Sequence, residues 1–427
     1  MIAVVGGGIT GLALGWHLER LGMEYAVFEA QPRVGGVVRT GTVDGHVLDR
    51  GPQRLRLTPA MAGLVADLGL SDRMITAPDG LRLHVYRGGR LHPVPTSAIE
   101  LLRTTALSPA ARLRLLVEPL TRGVEPGEHV AEYFERKVGR EVYRTLVAPL
   151  YGGLYGTDPA SMDVEVALLP LLRRLGVRRS LLMRFLRGTR GPGAPAVSFR
   201  DGMEELPRAL ARALPGRVHT GSPVRSLARR GAGWRLDVGG AAIDARVVVV
   251  TTPPAPTGRL LTDAAPELGA AASRLRTNCI GVVHLHARTE LQGLGFQVSH
   301  QEADRTLRGV TFNDALFGRT GVYTAYLGAG TDGPAGGPDD DALASTAVSR
   351  FRACTGYESR PLAVARAWMP AWDRTWRGLH DVPMPPGLHV AANWWSRPGL
   401  AGRLAEAESL ARRLAAGAPM AAHGRVA

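Results

Sequence analysis

Gly6-Gly7-Gly8-Ile9-Thr10-Gly11 stands between an apolar run, Ile2 to Val5, and a stretch of helical spacing in which Leu14, Leu18 and Leu21 share one face. Glu24 to Phe28 reads as a second strand, with Glu29 and Ala30 at its end. Strand, glycine turn, helix, strand and acid fall within about thirty residues, the pattern of a dinucleotide-binding βαβ unit. Gly6 permits the tight turn, Gly8 lets a pyrophosphate approach the backbone, and Gly11 lets the helix pack close to the strand. The free N–H groups at the helix start, around Ile9 and Thr10, face the phosphates. Glu29 can accept hydrogen bonds from a ribose 2′-hydroxyl.

This fingerprint does not separate NAD from FAD. Arg33-Val34-Gly35-Gly36-Val37 and Arg39 lie just beyond it, and Asp49-Arg50-Gly51-Pro52 reads as a further turn. A second pair of glycines brings another loop onto the same dinucleotide, and an arginine there can neutralise phosphate charge. Gly6–Gly11, Glu29, Arg33–Gly36 and Gly51–Pro52 together resemble the flavin-dependent amine oxidase and protoporphyrinogen oxidase superfamily. Two further stretches resemble its porphyrinogen oxidase branch: the hairpin His84–Pro95, ending Leu91-His92-Pro93-Val94-Pro95, and Glu141–Gly156, with Pro149-Leu150-Tyr151-Gly152-Gly153-Leu154-Tyr155. Phe199-Arg200-Asp201-Gly202-Met203 resembles that family's entry to an FAD-domain helix.

The resemblance implies FAD and an α/β fold: a glutathione-reductase-like Rossmann domain, an antiparallel-sheet substrate domain and a helical lobe. The expected division is 1–80 with 195–265 and 370–427 for FAD, 81–96 with 266–369 for substrate, and 97–194 for the lobe. By resemblance, Val224 touches the adenine side through its backbone, and Thr251 and Thr252 sit near the dinucleotide. Asn393, Trp394, Gly399 and Leu400 close the site, with the last helix pointing its N-terminus at the flavin ring.

Periodicity predicts helices in Ser108–Arg190, over Met203–Leu214, Ala342–Ala353 and Ala401–Ala415. In the first of these, Leu113, Leu116, Val117 and Leu120 share a stripe. Strands are expected at Val218–Leu227, Trp234–Val238 and Ala242–Val250, then in Gly281–Ala287, Gly295–Ser299, Arg308–Phe312 and Val322–Leu327, with Leu81–Leu91 joining the second sheet. Asp339, Asp340 and Asp341 fit the cap and first turn of a helix better than a calcium site.

The resemblance implies oxidation of a porphyrinogen, protoporphyrinogen IX or coproporphyrinogen III, in haem biosynthesis. Hydride passes to flavin N5 and dioxygen reoxidises the flavin, so no protein nucleophile is required. No certain catalytic residue, triad or metal spacing is apparent. Substrate propionates call for arginine, and Arg82 lies where the family places such a residue. His84, His92, His284 and His286 are better read as packing residues than as acid–base groups. Met369–Trp376 and Pro398–Arg403 depart from the family's usual runs, which leaves the substrate open. The alternatives are an amine oxidase or carotenoid-type desaturase, and a non-redox FAD-binding protein. An amine oxidase commonly uses a lysine near the flavin, and Lys137, the only lysine, falls in the helical lobe.

The chain has 427 residues and a net charge of +14, carried almost wholly by arginine. Arginine is spread throughout and aromatics are only 6%, which argues against a nucleic-acid binder. Two cysteines exclude a disulfide framework. No apolar run is long enough to span a membrane, and no signal peptide is apparent. The expected location is the cytoplasm. From Leu168 to Arg187, leucines alternate with Arg173, Arg174, Arg178, Arg179, Arg184 and Arg187. This fits an interfacial helix on anionic lipid at the inner face of the membrane, or a core-facing helix pair broken at Gly176.

Overall fold

Ile2–Val5, Tyr25–Phe28 and Val247–Val250 are apolar on both faces, as strands covered from both sides must be. In the computed structural model they form a five-stranded parallel sheet, ordered Val218–His219, Tyr25–Phe28, Ile2–Val5, Val247–Val250, Leu388–Val390. The residues described are 1–177, 179–187, 194–331, 337–396 and 399–417. Arg178, Pro398 and parts of the expected 188–195 break and 330–341 loop lie outside them. The helix Ile9–Arg20 packs on the last helix, Leu400–Ala415, and Leu12, Leu14 and Leu18 share one core with Leu404, Ala407 and Leu410.

A second sheet has seven strands, ordered Arg360–Pro370, Thr277–His286, Val322–Thr331, Leu307–Phe312, Gly295–Val298, Leu83–Arg87, Arg90–Pro93. All neighbours are antiparallel except Gly295–Val298 beside Leu83–Arg87. The helix Asp340–Thr355 covers one face, its Leu343, Ala347 and Phe351 packing with Val283, Leu285, Tyr323, Ala325 and Leu327. Strand alternation therefore sends His284, Thr324 and Tyr326 to the other face. Asp339 caps that helix, accepting from Ala342 N–H at 2.7 Å, and among the described residues no acidic cluster could hold a metal. Cys279 and Cys354 are free and buried.

Two expected strands are each two. Val218–Leu227 divides into Val218–His219 and Val224–Arg230, because Gly221 adopts φ +62° and Pro223 follows. Ala242–Val250 divides at Arg246, its first half closing the meander of Val224–Arg230, Gly233–Val238 and Ala241–Ala245 and its second entering the parallel sheet. Arg360–Pro370 was not anticipated. Its Pro361 and scattered arginines suit the edge position it takes.

The segment 97–187 is helical, with two single-turn π segments, Tyr143–Val147 and Val164–Leu168. Each precedes a proline. Pro149 and Pro170 lack the N–H that would bond the carbonyls of Thr145 and Val166, so the ladder widens there. The Leu113 to Leu120 stripe faces outward: Leu113 is 66% and Leu120 78% exposed. In the Leu/Arg segment, Leu168 and Leu172 are buried, whereas Leu175, Met183 and Leu186 are exposed.

Candidate functional site

The carboxyl ends of Ile2–Val5 and Val247–Val250 lie side by side, and that edge of a parallel sheet is where open α/β folds bind ligands. Gly6 adopts φ +111°, and a Cβ on Gly11 would fall on the Gly6 carbonyl oxygen. Thr251 Oγ lies 3.0 Å from the carbonyl oxygens of both Val5 and Gly6, tying the two strand ends together. The helix Ile9–Arg20 begins at Gly8 without a side-chain cap. The N–H groups around Ile9 and Thr10 thus present an uncapped helix start.

Glu29 Oε2 accepts from Gly7 N–H at 2.7 Å and Oε1 from Gln31 N–H at 2.8 Å. Each oxygen keeps a lone pair for a further donor. Ser222 N–H donates to the Glu29 carbonyl at 2.8 Å, and this brings the start of the Val224 strand beside Glu29 and Ala30. Gly35 N–H donates to Gly7 O at 2.9 Å, so the second glycine loop touches the first. Gly51 abuts Val37, where a Cβ would meet the Val37 carbonyl, and Pro52 follows. Gly36 takes φ +59°.

Arg33 and Arg39 hold this loop from outside. Both reach Gln31 Oε1, at 3.1 and 2.9 Å, and both approach the Gly36 carbonyl. Their charge sits beside the glycines, but their nitrogens are engaged with the loop itself.

At the other end, Asn393 is exposed and Trp394 fully buried, its indole donating to Thr252 O at 2.9 Å. The Trp394 ring is therefore a core element edge-on to Trp395. Gly399, at φ +82°, opens the last helix without a side-chain cap, and Leu400 is buried. Arg403, on that helix, is buried and donates to Ala392 O at 2.7 Å, bracing the turn.

Arg82 is not an open cation. Its two terminal nitrogens meet Glu100 at 3.0 and 2.9 Å, and one also donates to Val94 O. Thr96 N–H, Arg82 and the Thr96 hydroxyl hold the Glu100 carboxyl down to about 2. Glu100 therefore stays charged in any working buffer. Arg82 fastens the hairpin to the helix Ala98–Arg103.

The four histidines are placed in the seven-stranded sheet. His92 bonds Thr105 Oγ1 and Arg87 O, and the His286 ring lies tilted at 45° against His46. Burial lowers His84, whose Nδ1 lies 3.4 Å from Gly295 O. His284 is buried with its pKa pushed down to about 4, first by burial and then by Arg50. Sequence reasoning missed what surrounds it. Thr324 donates to Asn313 Oδ1 at 2.8 Å and Asn313 Nδ2 to Gln53 Oε1 at 2.7 Å, while His284 Nδ1 lies 3.1 Å from Thr324 Oγ1. Polar residues at alternate positions, Thr324 and Tyr326 in an otherwise apolar strand, were the available signal.

The glycine cradle, two uncapped helix starts and Glu29 fit a dinucleotide. A sequence profile for flavin containing amine oxidoreductases matches residues 9–409. The chain belongs to that family. This flavoenzyme is 30% identical over 443 aligned residues to coproporphyrinogen III oxidase of Mycobacterium leprae, covering 95% of this chain and 97% of the relative. It is 29% identical over 352 residues to protoporphyrinogen oxidase of Homo sapiens, covering 74% and 73%. The solved structure of a protein described as a protoporphyrinogen oxidase from Exiguobacterium superposes with TM-score 0.77 at 22% identity, covering 97% of this chain and 98% of that one. It shares the fold. The flavoenzyme belongs to the protoporphyrinogen and coproporphyrinogen oxidase group and is an FAD-dependent oxidoreductase.

Proposed function

We propose that this flavoenzyme oxidises a porphyrinogen, protoporphyrinogen IX or coproporphyrinogen III, to the porphyrin. The near end-to-end match to coproporphyrinogen III oxidase of Mycobacterium leprae carries the reading. Bound FAD supplies the hydride acceptor, and dioxygen takes its electrons on to hydrogen peroxide. The chain's own part is to hold and orient. Gly6, Gly8, Ile9, Thr10 and Gly11 receive the pyrophosphate, Glu29 and Ala30 the ribose, and Val224 and Thr251 the flanks of the dinucleotide. Gly35, Gly36, Val37, Gly51 and Pro52 cover it, with Arg33 and Arg39 as their brace. Asn393, Gly399 and Leu400 bring the last helix's positive end toward the ring, where it favours negative charge. The seven-stranded sheet and the helical segment 97–187 form the substrate side.

An amine oxidase reading is disfavoured by Lys137. It is 0% exposed and locked 3.0 Å from Glu118 within the helical segment. We expect the purified protein to be yellow and to turn non-fluorescent porphyrinogen into fluorescent porphyrin, with peroxide released. A holoprotein that neither bleaches anaerobically nor yields porphyrin with both substrates overturns the proposal.

The helical segment also supports peripheral contact with anionic membrane. Leu113, Leu116 and Leu120 stand out beside Leu175, Met183 and Leu186, and Glu118–Leu120 packs against Leu181–Leu186. Arg112, Arg114, Arg173, Arg174 and Arg184 lie on the same helices. Among the described residues no helix is long and apolar enough to cross a membrane. Co-sedimentation with phosphatidylglycerol vesicles at low salt should succeed and fall at least about tenfold for Leu116→Glu/Leu120→Glu. Equal sedimentation of wild type and variant sinks the contact.

A further inference from the structure

Burial lowers the pKa of three described arginines: Arg54, Arg308 and Arg319. Two are given to carbonyls. Arg308 donates to Gly156 O at 3.1 Å, and Arg319 to Arg200 O and Phe199 O at 2.7 and 2.6 Å. Arg54 has no hydrogen-bond or ion-pair partner among the described residues. Its side chain is nevertheless solvent-accessible. Tyr326, on the face of the seven-stranded sheet away from the helix Asp340–Thr355, is the group acting on it most strongly after burial, and Tyr326 is met by Thr311 Oγ1 at 3.4 Å.

Gln53 precedes it and is 6% exposed. Its Oε1 is taken by Asn313, and its Nε2 has no partner. The Thr324 and Asn313 donors run one way along their chain, so Gln53 Nε2 is left buried and without a partner. A buried amide donor and a desolvated guanidinium on adjacent residues, both unanswered, need an acceptor. A carboxylate answers both. The glycine turn that receives phosphates lies at the ends of the parallel sheet, whereas Arg54 faces Tyr326 of the antiparallel one.

We propose that Arg54, with Gln53 Nε2 on the preceding residue, anchors a carboxylate of the substrate, the role that the family resemblance gave to Arg82. This rests on the porphyrinogen reading above. Arg82 is already neutralised by Glu100, so its loss removes no open cation.

The test is Arg54→Gln and Arg54→Lys in FAD-loaded protein. KM for coproporphyrinogen III should rise about 10- to 100-fold in Arg54→Gln, with part recovered in Arg54→Lys. FAD affinity should be unchanged. With the tetramethyl ester, which has no carboxylate, wild type and variant should have equal KM. An unchanged KM for the acid, or an FAD affinity that falls in step with KM, overturns the anchor while leaving the porphyrinogen reading intact. A wild-type protein inactive on both porphyrinogens fails the reading instead. The anchor is then judged by titrating coproporphyrin III into both holoproteins, followed by its fluorescence. Equal affinities, or no binding to wild type, overturn it.

Discussion

Gly11→Val protein is expected to purify colourless. The added side chain would point at the Gly6 carbonyl oxygen, with Thr251 Oγ immediately behind. Both belong to the backbone junction that joins the two strand ends, and neither can swing away as a surface side chain could. Either the helix Ile9–Arg20 moves off the strand or the Gly6 turn opens, and each displaces the N–H groups that receive phosphate. Overpacking of this kind costs about 1–3 kcal/mol for ordinary core sites. At a turn whose geometry is the binding site, we expect FAD affinity to fall about 100-fold or more. The flavin-to-protein absorbance ratio reads it directly. Gly63→Ala is the control: Gly63 lies within the helix Pro59–Asp67 with open space around its Cα, and its alanine protein should stay yellow. Full flavin content in Gly11→Val would disprove the close-packing account.

The second large effect is on stability. Lys137→Met should destabilise the protein by about 3–5 kcal/mol, the usual cost of orphaning one member of a buried ion pair. Lys137 and Glu118 are both 0% exposed. Lys137 Nζ also donates to Arg179 O at 2.7 Å. Glu118 accepts from the Ser180 hydroxyl, from Leu181 N–H at 2.9 Å and from Leu182 N–H at 3.3 Å. One carboxylate thus caps the helix Leu181–Leu186 and is paired to the helix Val130–Val138.

The pair also predicts a pH dependence. Burial pushes the Glu118 carboxyl up, but Ser180, Leu181 and Lys137 outweigh it and leave the pKa below the ordinary value. A carboxyl lowered in the folded state contributes stability above its ordinary range and loses it as pH falls. The melting temperature of wild type should fall on acidification, and Glu118→Gln should flatten that part of the slope. A Lys137→Met melting curve identical to wild type would remove the argument.

How much of this was legible beforehand differs by residue. Gly6 to Glu29 was legible because each residue there answers a local demand of the turn. Asp339 was legible for the same reason, since a cap acts over three residues. Lys137 could be counted but not paired, because Glu118 is nineteen positions away and Ser180 farther still, and no local pattern links them. Arg82 was chosen from a hairpin position, yet Glu100, from the next helix, neutralises it. Gln53 and Arg54 follow Gly51–Pro52 directly but drew no notice. Their significance depends on Asn313 and Tyr326, which only the fold brings near. The Leu113 to Leu120 stripe had the right period for a helix. Which side that helix would bury is decided by neighbours that periodicity does not contain.

The parallel sheet has a consequence in time. Its strands come from residues 2–28, 218–250 and 388–390, and the helix that packs on the first helix begins at Leu400. During synthesis, the glycine turn leaves the ribosome well before the strand Leu388–Val390 and the helix Leu400–Ala415 that complete its surroundings. Until Leu404, Ala407 and Leu410 emerge, the core around Leu12, Leu14 and Leu18 is only partly closed, by Tyr25 and Val27 and then by Leu206 and Leu210. The nascent protein therefore carries an incompletely covered apolar helix, which invites chaperone protection until Leu404, Ala407 and Leu410 are available.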